Sequence, residues 1–197
     1  MQIVFPEKNE EKFVEMAARL GIDELVFVYN LKEFVRKEFD GEVKIKFGIL
    51  AKSSEIQKAK NKADLVLYEC DEDARHVIEK FKPDIIFNFE NSSRKDFIHH
   101  RNSGMNHIIA KLMCDKGVKL GVSFANLLES GKRDVLIGRI KQNLRLCKKY
   151  KVDVIVSSFA KDVYRLRCEK EMIGVLIYWY SSGKIISQSG VKNCSNP

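Results

Sequence analysis

Residues 101–112 read Arg-Asn-Ser-Gly-Met-Asn-His-Ile-Ile-Ala-Lys-Leu, the most telling stretch of the chain for chemistry. Asn102-Ser103-Gly104 is a turn signal, and Ser103 is of the type that caps a helix. A helix is predicted over Met105–Lys116, because Met105, Ile108, Ile109, Leu112 and Met113 recur at i, i+3, i+4, i+7 and i+8 and form a core-facing stripe. Arg101, His107, Lys111 and Lys116 fall on other faces. The block is therefore a basic, hydrogen-bonding loop that leads into a packed helix. His107 follows the turn by three residues, where the first helical turn leaves unpaired N–H groups that suit a phosphate. It is equally suited to tying the loop down through a structural hydrogen bond. Just upstream, His99-His100-Arg101 could grip a phosphate or supply a general acid, or could be only an exposed polar loop.

A second cationic set lies further on. The net charge of +8 is unevenly spread: residues 1–130 sum to −1, residues 131–170 to +8 and the remainder to +1. Within the basic block a helix is predicted over Asp134–Tyr150, with Leu136, Ile140, Leu144 and Cys147 as its apolar stripe. Lys141, Arg145 and Lys148 recur at i, i+4 and i+7 as a ridge beside it, extended by Lys149 and Lys151. The ridge is either a solvated helix back or a face for a polyanion. The absence of any acid on this helix after Asp134 favours the second, since clustered cations gain most from counterion release. Beyond it, Ser157-Ser158-Phe159-Ala160 and then Tyr164-Arg165-Leu166-Arg167 place hydroxyls, an aromatic ring and two guanidinium forks close together. Such groups can hold phosphate and stack on bases. No aromatic pair of an RRM sheet, GXXG clamp or zinc knuckle is present, which leaves RNA recognition by shape and charge.

The elements that must position these side chains alternate regularly. Strands are predicted at Gln2–Phe5, Glu24–Tyr29, Val43–Leu50, Asp64–Glu69, Asp84–Phe89, Val118–Phe124 and Asp153–Ser158. Further helices are predicted at Glu7–Leu20, Leu31–Phe39, Ser53–Asn61 and Glu72–Phe81, with partly helical segments at Lys161–Gly174 and Val175–Ser187. Nearly continuous apolar runs such as Leu65-Val66-Leu67 and Val154-Ile155-Val156 suit parallel strands buried on both faces. Strict βα alternation leaves an open doubly wound sheet or a (β/α) barrel. No Gly-rich loop follows a strand, which weakens the nucleotide-binding open sheet. A TIM barrel typically takes about 250 residues and eight strands, so a seven-stranded, somewhat incomplete barrel fits this length.

In such a barrel the loops after the strands form the functional face. Its residues here are Tyr29, Asn30, Glu69, Cys70, Asn88, Glu90, Ser123, Ser157 and Ser158. A metal-dependent phosphoesterase or nuclease barrel would carry histidines and aspartates there, often as His-x-His after the first strand. Instead the first strand ends in Val4-Phe5-Pro6, and none of the four histidines ends a strand. Glu69 and Glu90 are a candidate acid–base pair, or simply caps. The metal-dependent phosphoesterase or nuclease remains the alternative reading, with neither metal nor catalytic residues assigned.

With 45% hydrophobic residues in 197, the chain can bury one sizeable core. A single barrel-like domain over residues 1–190 and a flexible tail over 191–197 are expected. No apolar run reaches the roughly 18 residues of a membrane span, and the N-terminus lacks the form of a signal peptide. Five cysteines without a Cys-x-x-Cys spacing suggest a reducing, cytoplasmic setting with no disulfide or zinc site.

Four segments in order resemble one family. Arg101-x-Ser103-Gly104-x-Asn106-His107 running into Ala110-Lys111-Leu112 is similar to the signature of the archaeal and eukaryotic ribonuclease P protein component 3 family. Lys119–Phe124 followed by Leu127-Leu128 resembles that family's next strand and short helix. Arg133 through Tyr150-Lys151 resembles its long basic helix, and Val156–Ala160, with Arg165 and Arg167 beyond, resembles its Ser-Ser/Gly-Ala strand end. The likeness is continuous over residues 62–180. Phe159 departs from it where a small residue is common, as does Cys168 where a turn former is usual, and the loop at residues 91–98 does not align. The resemblance implies a barrel similar to metal-dependent phosphoesterase barrels but without their metal ligands. It implies a protein subunit of the RNA-based endoribonuclease that removes the 5′ leader from precursor tRNA. Catalysis would belong to the RNA and its magnesium, with no cofactor on this chain. The implied partners are ribonuclease P RNA, protein component 2 and the other protein subunits, with precursor tRNA as substrate and no membrane. The expected RNA-facing set is Arg101, His107, Lys111, Lys116, Lys141, Arg145, Lys148, Arg165 and Arg167.

Overall fold

All seven predicted strands form. In the computed structural model, which describes residues 1–39, 41–71, 73–92, 95–172 and 174, they are β1 (Gln2–Val4), β2 (Glu24–Asn30), β3 (Lys44–Leu50), β4 (Leu65–Glu69), β5 (Ile85–Phe87), β6 (Lys119–Ser123) and β7 (Val154–Ser157). Each pairs in parallel with the next, in the order β1 to β7. Alternate residues turn inward and outward, as the period of a strand requires. Ile3, Val26, Val28, Leu67, Ile85, Phe87 and Ile155 fill the interior. Gly48 and Gly121 make room for them. A Cβ at Gly48 would lie 3.0 Å from Leu67 and Val28, and one at Gly121 would lie 2.9 Å from Ile85 and Phe87.

The array closes at a seam between β7 and β1 where an eighth strand is missing. One backbone bridge joins Val4 to Ala160 among the described residues, with the Phe5 N–H donating to the Ala160 carbonyl at 2.8 Å. Side chains complete the seam. Gln2 Oε1 accepts from the Ser158 N–H (2.9 Å), Ser158 Oγ (2.8 Å) and Ser157 Oγ (3.2 Å), and the Ile3 N–H donates to Ser157 Oγ. Gln2, Ile3, Ser157 and Ser158 are buried, and the Ile3, Phe5 and Ser158 N–H groups at the seam find partners within the protein, while Gln2 Nε2 has none among the described residues. The two serines at the end of β7 are thus seam residues.

Helices cover the outside: α1 (Glu10–Arg19), α2 (Ile56–Lys60), α3 (Ala74–Lys80), α4 (His107–Lys116), α5 (Phe124–Glu129) and α6 (Arg133–Tyr150). α3 packs on α4 and α4 on α6 over the outer faces of β3 to β7, burying Val77, Ala110, Met113, Ile140 and Leu144 with Ile86, Leu120 and Val154. Phe124 begins α5 rather than ending β6, because Ser123 Oγ accepts from the Asn126 N–H and caps the helix there.

The helix predicted over Leu31–Phe39 does not form; these residues make a turn and then an irregular strap. Packing explains it. Phe34 and Phe39 both reach Phe47, with centroids 6.2 and 6.5 Å away, and Phe39 also meets Phe27 at 5.2 Å. In a helix, five residues turn the side chain by roughly 140°, so both rings could not lie on one surface. No helix among the described residues is long and apolar enough to cross a membrane. The segment predicted over Val175–Ser187 and the expected tail at 191–197 lie outside the described residues.

Candidate nucleic-acid interface

α6 carries two faces with different work. Leu136, Ile140, Leu144 and Cys147 are buried as predicted, and so are Arg139 and Asn143, which sit beside them on the same side. These polar groups hold the loop between β5 and α4. Arg139 donates from Nη1 to the carbonyls of Glu90 (3.0 Å) and Ser92 (2.6 Å), and from Nε to Asp96 Oδ1 (2.8 Å). Asp96 also accepts from the Asn102 N–H (3.0 Å) and pairs with Arg101 Nη1 (3.2 Å). Burial works against the charge on Asp96, but its bonds to Arg139, Asn102 and Arg101 outweigh it and hold the carboxyl below its usual range. Gln142 accepts from the Arg101 N–H (3.2 Å) and donates to the Arg101 carbonyl (2.9 Å) and Ser103 Oγ (2.9 Å), while Asn143 donates to the Ser103 carbonyl (3.0 Å).

Two glycines permit this docking. A Cβ at Gly138 would stand 2.3 Å from the Arg101 guanidinium, which lies across α6 at that point. Gly104 has φ +77° and would push a Cβ to 2.1 Å from the Phe89 carbonyl oxygen. No L side chain fits that combination of dihedral and backbone approach. Ser103 is buried and does not cap α4 as expected. Asn106 does, accepting from the Ile109 N–H at 2.9 Å. The helix starts two residues later than predicted because Met105 is spent as a buried anchor ahead of the cap. Ile108, expected in the core stripe, is 44% exposed, and Ala110 takes the buried place.

The predicted cations differ in exposure and in where the fold places them. His107 is the first residue of α4, and Lys111 follows one turn later on the same side; both are exposed, with Lys116 roughly 140° further round from Lys111. Arg145 is exposed, Lys148 is exposed and Lys141 is half-buried, in one stripe on the outside of α6. Arg101 is half-exposed yet already paired with Asp96. Arg165 forms an ion pair with Glu129 at the end of α5. Arg167 donates from Nη1 to the carbonyls of Tyr164 (2.8 Å) and Leu166 (2.9 Å), its own N–H going to Ser158 Oγ at 3.1 Å. The structure therefore joins Arg101 to α6 directly. Arg165 and Arg167 sit in a separate loop after β7, beside the seam, where Tyr164 is 80% exposed.

Sequence reasoning overlooked Arg139, Gln142 and Asn143. Their positions beside the apolar stripe, and Gly138 in mid-helix, were the available signal. A glycine there costs about 1 kcal/mol against alanine and calls for a packing reason.

The barrel mouth holds different chemistry. Phe5, Phe87 and Phe159 meet at the C-terminal ends of the strands, with centroids 4.8 Å apart for Phe87–Phe159, 6.3 Å for Phe5–Phe159 and 6.4 Å for Phe5–Phe87. Phe159 is buried with φ +47°, a strained setting for a bulky residue that the surrounding packing enforces. Glu69 and Glu90 do not act as a matched pair. Glu69 is exposed and accepts from Asn88 Nδ2 at 2.7 Å. Glu90 is wholly buried, and burial pushes its carboxyl up to about 7. Asn126 Nδ2 donates to Asn88 Oδ1, so this strand end is locked by amides. Burial pushes the Cys70 and Cys147 thiols up to about 12, which keeps them protonated and poor nucleophiles. Among the described residues no group of three or more His, Cys, Asp or Glu side chains is arranged to hold a metal.

Comparison with known proteins places these features. The family model described as RNase P subunit p30 matches residues 7–182. Ribonuclease P protein component 3 of Methanococcus maripaludis strain C5 is 28% identical over 186 residues, covering 85% of this chain and 78% of the relative. The protein of the same name from Methanosarcina acetivorans is 35% identical over 88 residues, covering 42% of this chain and 37% of the relative. Among solved structures, a chain in the cryo-EM structure of archaeal ribonuclease P with mature tRNA superposes with TM-score 0.71 at 21% identity, over 90% of this chain and 81% of that one. That likeness establishes the barrel-like fold.

Proposed function

The chain belongs to the RNase P subunit p30 family and is a protein subunit of ribonuclease P, and from that premise we propose that it binds and braces the catalytic RNA without an active site of its own. One contrast carries this reading. On the seam side of the mouth where a barrel enzyme assembles its reacting groups, Phe5, Phe87 and Phe159 pack together, while the cations lie outside on α6 and α4. A wall of three phenylalanines offers no donor, base or nucleophile. Cations along α6 offer what a phosphate backbone rewards. The holoenzyme is an endoribonuclease that removes the 5′ leader of precursor tRNA. In this reading its chemistry runs on the RNA and on magnesium bound there, this chain holds no cofactor, and protein component 2 and the other subunits are its protein neighbours in the cytoplasm.

His107, Lys111, Lys116, Lys141, Arg145 and Lys148 are the proposed phosphate contacts. Arg101 has a double part, since it holds Asp96 and still exposes much of its fork. Arg165 and Arg167 are proposed as a second, smaller contact beside the seam. The test is precursor tRNA cleavage by the reconstituted particle at limiting magnesium. Arg145→Ala lowers the rate while far-UV circular dichroism of the free chain stays unchanged, because Arg145 is exposed and has no hydrogen-bond or ion-pair partner among the described residues. An unaltered rate removes α6 from the RNA-facing set. Cleavage by the chain alone, without RNA, overturns the absence of an active site.

A further inference from the structure

The loop between β5 and α4 ends in a tip that the cationic reading leaves unused. Phe97 is 60% exposed and Ile98 95% exposed, which is unusual for such large apolar side chains on a loop that is otherwise charged. Phe97 does not wave freely. Its ring lies on the imidazole of His100, with centroids 4.5 Å apart and planes 18° from parallel. The turn that brings them together is closed by the Phe97 N–H donating to the His100 carbonyl at 2.9 Å. Immediately before the tip, Asp96 is clamped by Arg139, Arg101 and the Asn102 N–H; immediately after it, Arg101 is tied through its backbone to Gln142. A stacked ring pair is thus held out from a loop whose two ends are fixed on α6.

We propose that Phe97 and His100 form a stacking platform for an unpaired base of RNA, with Ile98 as a wedge beside it, a reading that rests on the RNA-binding role above. Charge decides between this occupant and an apolar protein groove. Lys95, His99 and Arg101 flank the platform in sequence, and Asp96 is the one carboxylate between residues 91 and 106. Its two oxygens are already taken by Arg139, Arg101 and Asn102. A base lying on Phe97 would have its flanking phosphates within the cationic field of Arg101 and of the α6 stripe, which begins one residue from Gln142. Aromatic stacking tolerates any base because every base has a π-face, and an apolar wedge covers the base face left when neighbours separate, a separation that costs least where the bases are already unpaired. The rigid anchoring means that little freedom remains to be lost on binding.

The experiment uses the purified full chain and a single-stranded RNA oligonucleotide carrying 2-aminopurine, followed by anisotropy for affinity and by fluorescence quenching for stacking. Wild type is expected to bind and quench. Phe97→Ala should bind roughly ten- to a hundredfold more weakly and lose the quenching, as expected for one base–aromatic stack. Phe97→Tyr should restore both. Arg145→Ala should weaken binding while the bound complex still quenches. Binding of a duplex RNA without unpaired bases should be the same for wild type and Phe97→Ala. Phe97 is exposed, so its variants keep the fold, and circular dichroism checks this. If Phe97→Ala binds and quenches like wild type, the platform is overturned while the RNA-binding role stands. If wild type fails to bind either RNA at low salt, the RNA-binding role itself falls, and the platform with it.

Discussion

Replacing Glu90 with glutamine isolates one buried ionisation. Glu90 lies in the single 3-10 turn after β5, its side chain fully enclosed and its Oε1 without a hydrogen-bond partner. Burial raises its carboxyl from 4.5 to about 7, so the folded chain holds this proton more tightly than the unfolded one. The stabilisation from the protonated group is complete below the unfolded value and is lost as pH rises through about 7. At about 1.4 kcal/mol per pH unit, that interval corresponds to about 3 kcal/mol of stability. Glutamine keeps the size of the side chain and cannot ionise. Urea unfolding of wild type and Glu90→Gln from about pH 4 to about pH 8.5 therefore gives a stability difference that moves by about 3 kcal/mol in favour of the variant as pH rises. Parallel profiles, with a difference constant to within about 0.5 kcal/mol, would refute the reasoning, because a hydrated carboxylate would have no such dependence.

Further outcomes follow from the plug and the loop. Phe159→Ala empties part of the barrel mouth and should cost about 3–5 kcal/mol in urea unfolding, with no relief of the positive φ; RNA affinity of the folded fraction should stay unchanged. Gly138→Ala displaces only the flexible Arg101 guanidinium and gains up to about 1 kcal/mol of helix propensity, so the melting temperature should hardly move. Hydrogen exchange at residues 96–103 should nevertheless quicken as the Asp96 pair opens. Gln2→Ala removes the acceptor for three buried donors at the seam and should destabilise the chain by about 2–4 kcal/mol, with amides of β1 and β7 exchanging faster than those of β4.

The strands were legible because buried parallel strands write themselves as short apolar runs, as in Val154-Ile155-Val156, and their number pointed to a barrel short of one strand. How the barrel closes was not legible. Gln2 and Ser158 lie 156 residues apart, and only the fold makes them partners. The strap at Leu31–Phe39 misled because its local pattern is helical while the aromatic surface of β2 and β3 outweighs propensity. In the interface, residue type revealed the cations but could not say which were spent internally. Arg139 and Arg145 lie six residues apart on one helix, yet the first is buried under a loop and the second faces solvent. Phe159 stood out as a departure from the family pattern, and the reason is visible only as the third ring of the plug.

The most direct measurement of the central claim is the salt dependence of binding to ribonuclease P RNA. Wild type is compared with a variant in which Lys141, Arg145 and Lys148 are all alanine, by filter binding across a series of potassium chloride concentrations. If α6 neutralises RNA phosphates, the slope of log K against log salt becomes shallower by about 2–3, at roughly 0.7–0.9 for each lost contact. Identical slopes for the two proteins would contradict the account.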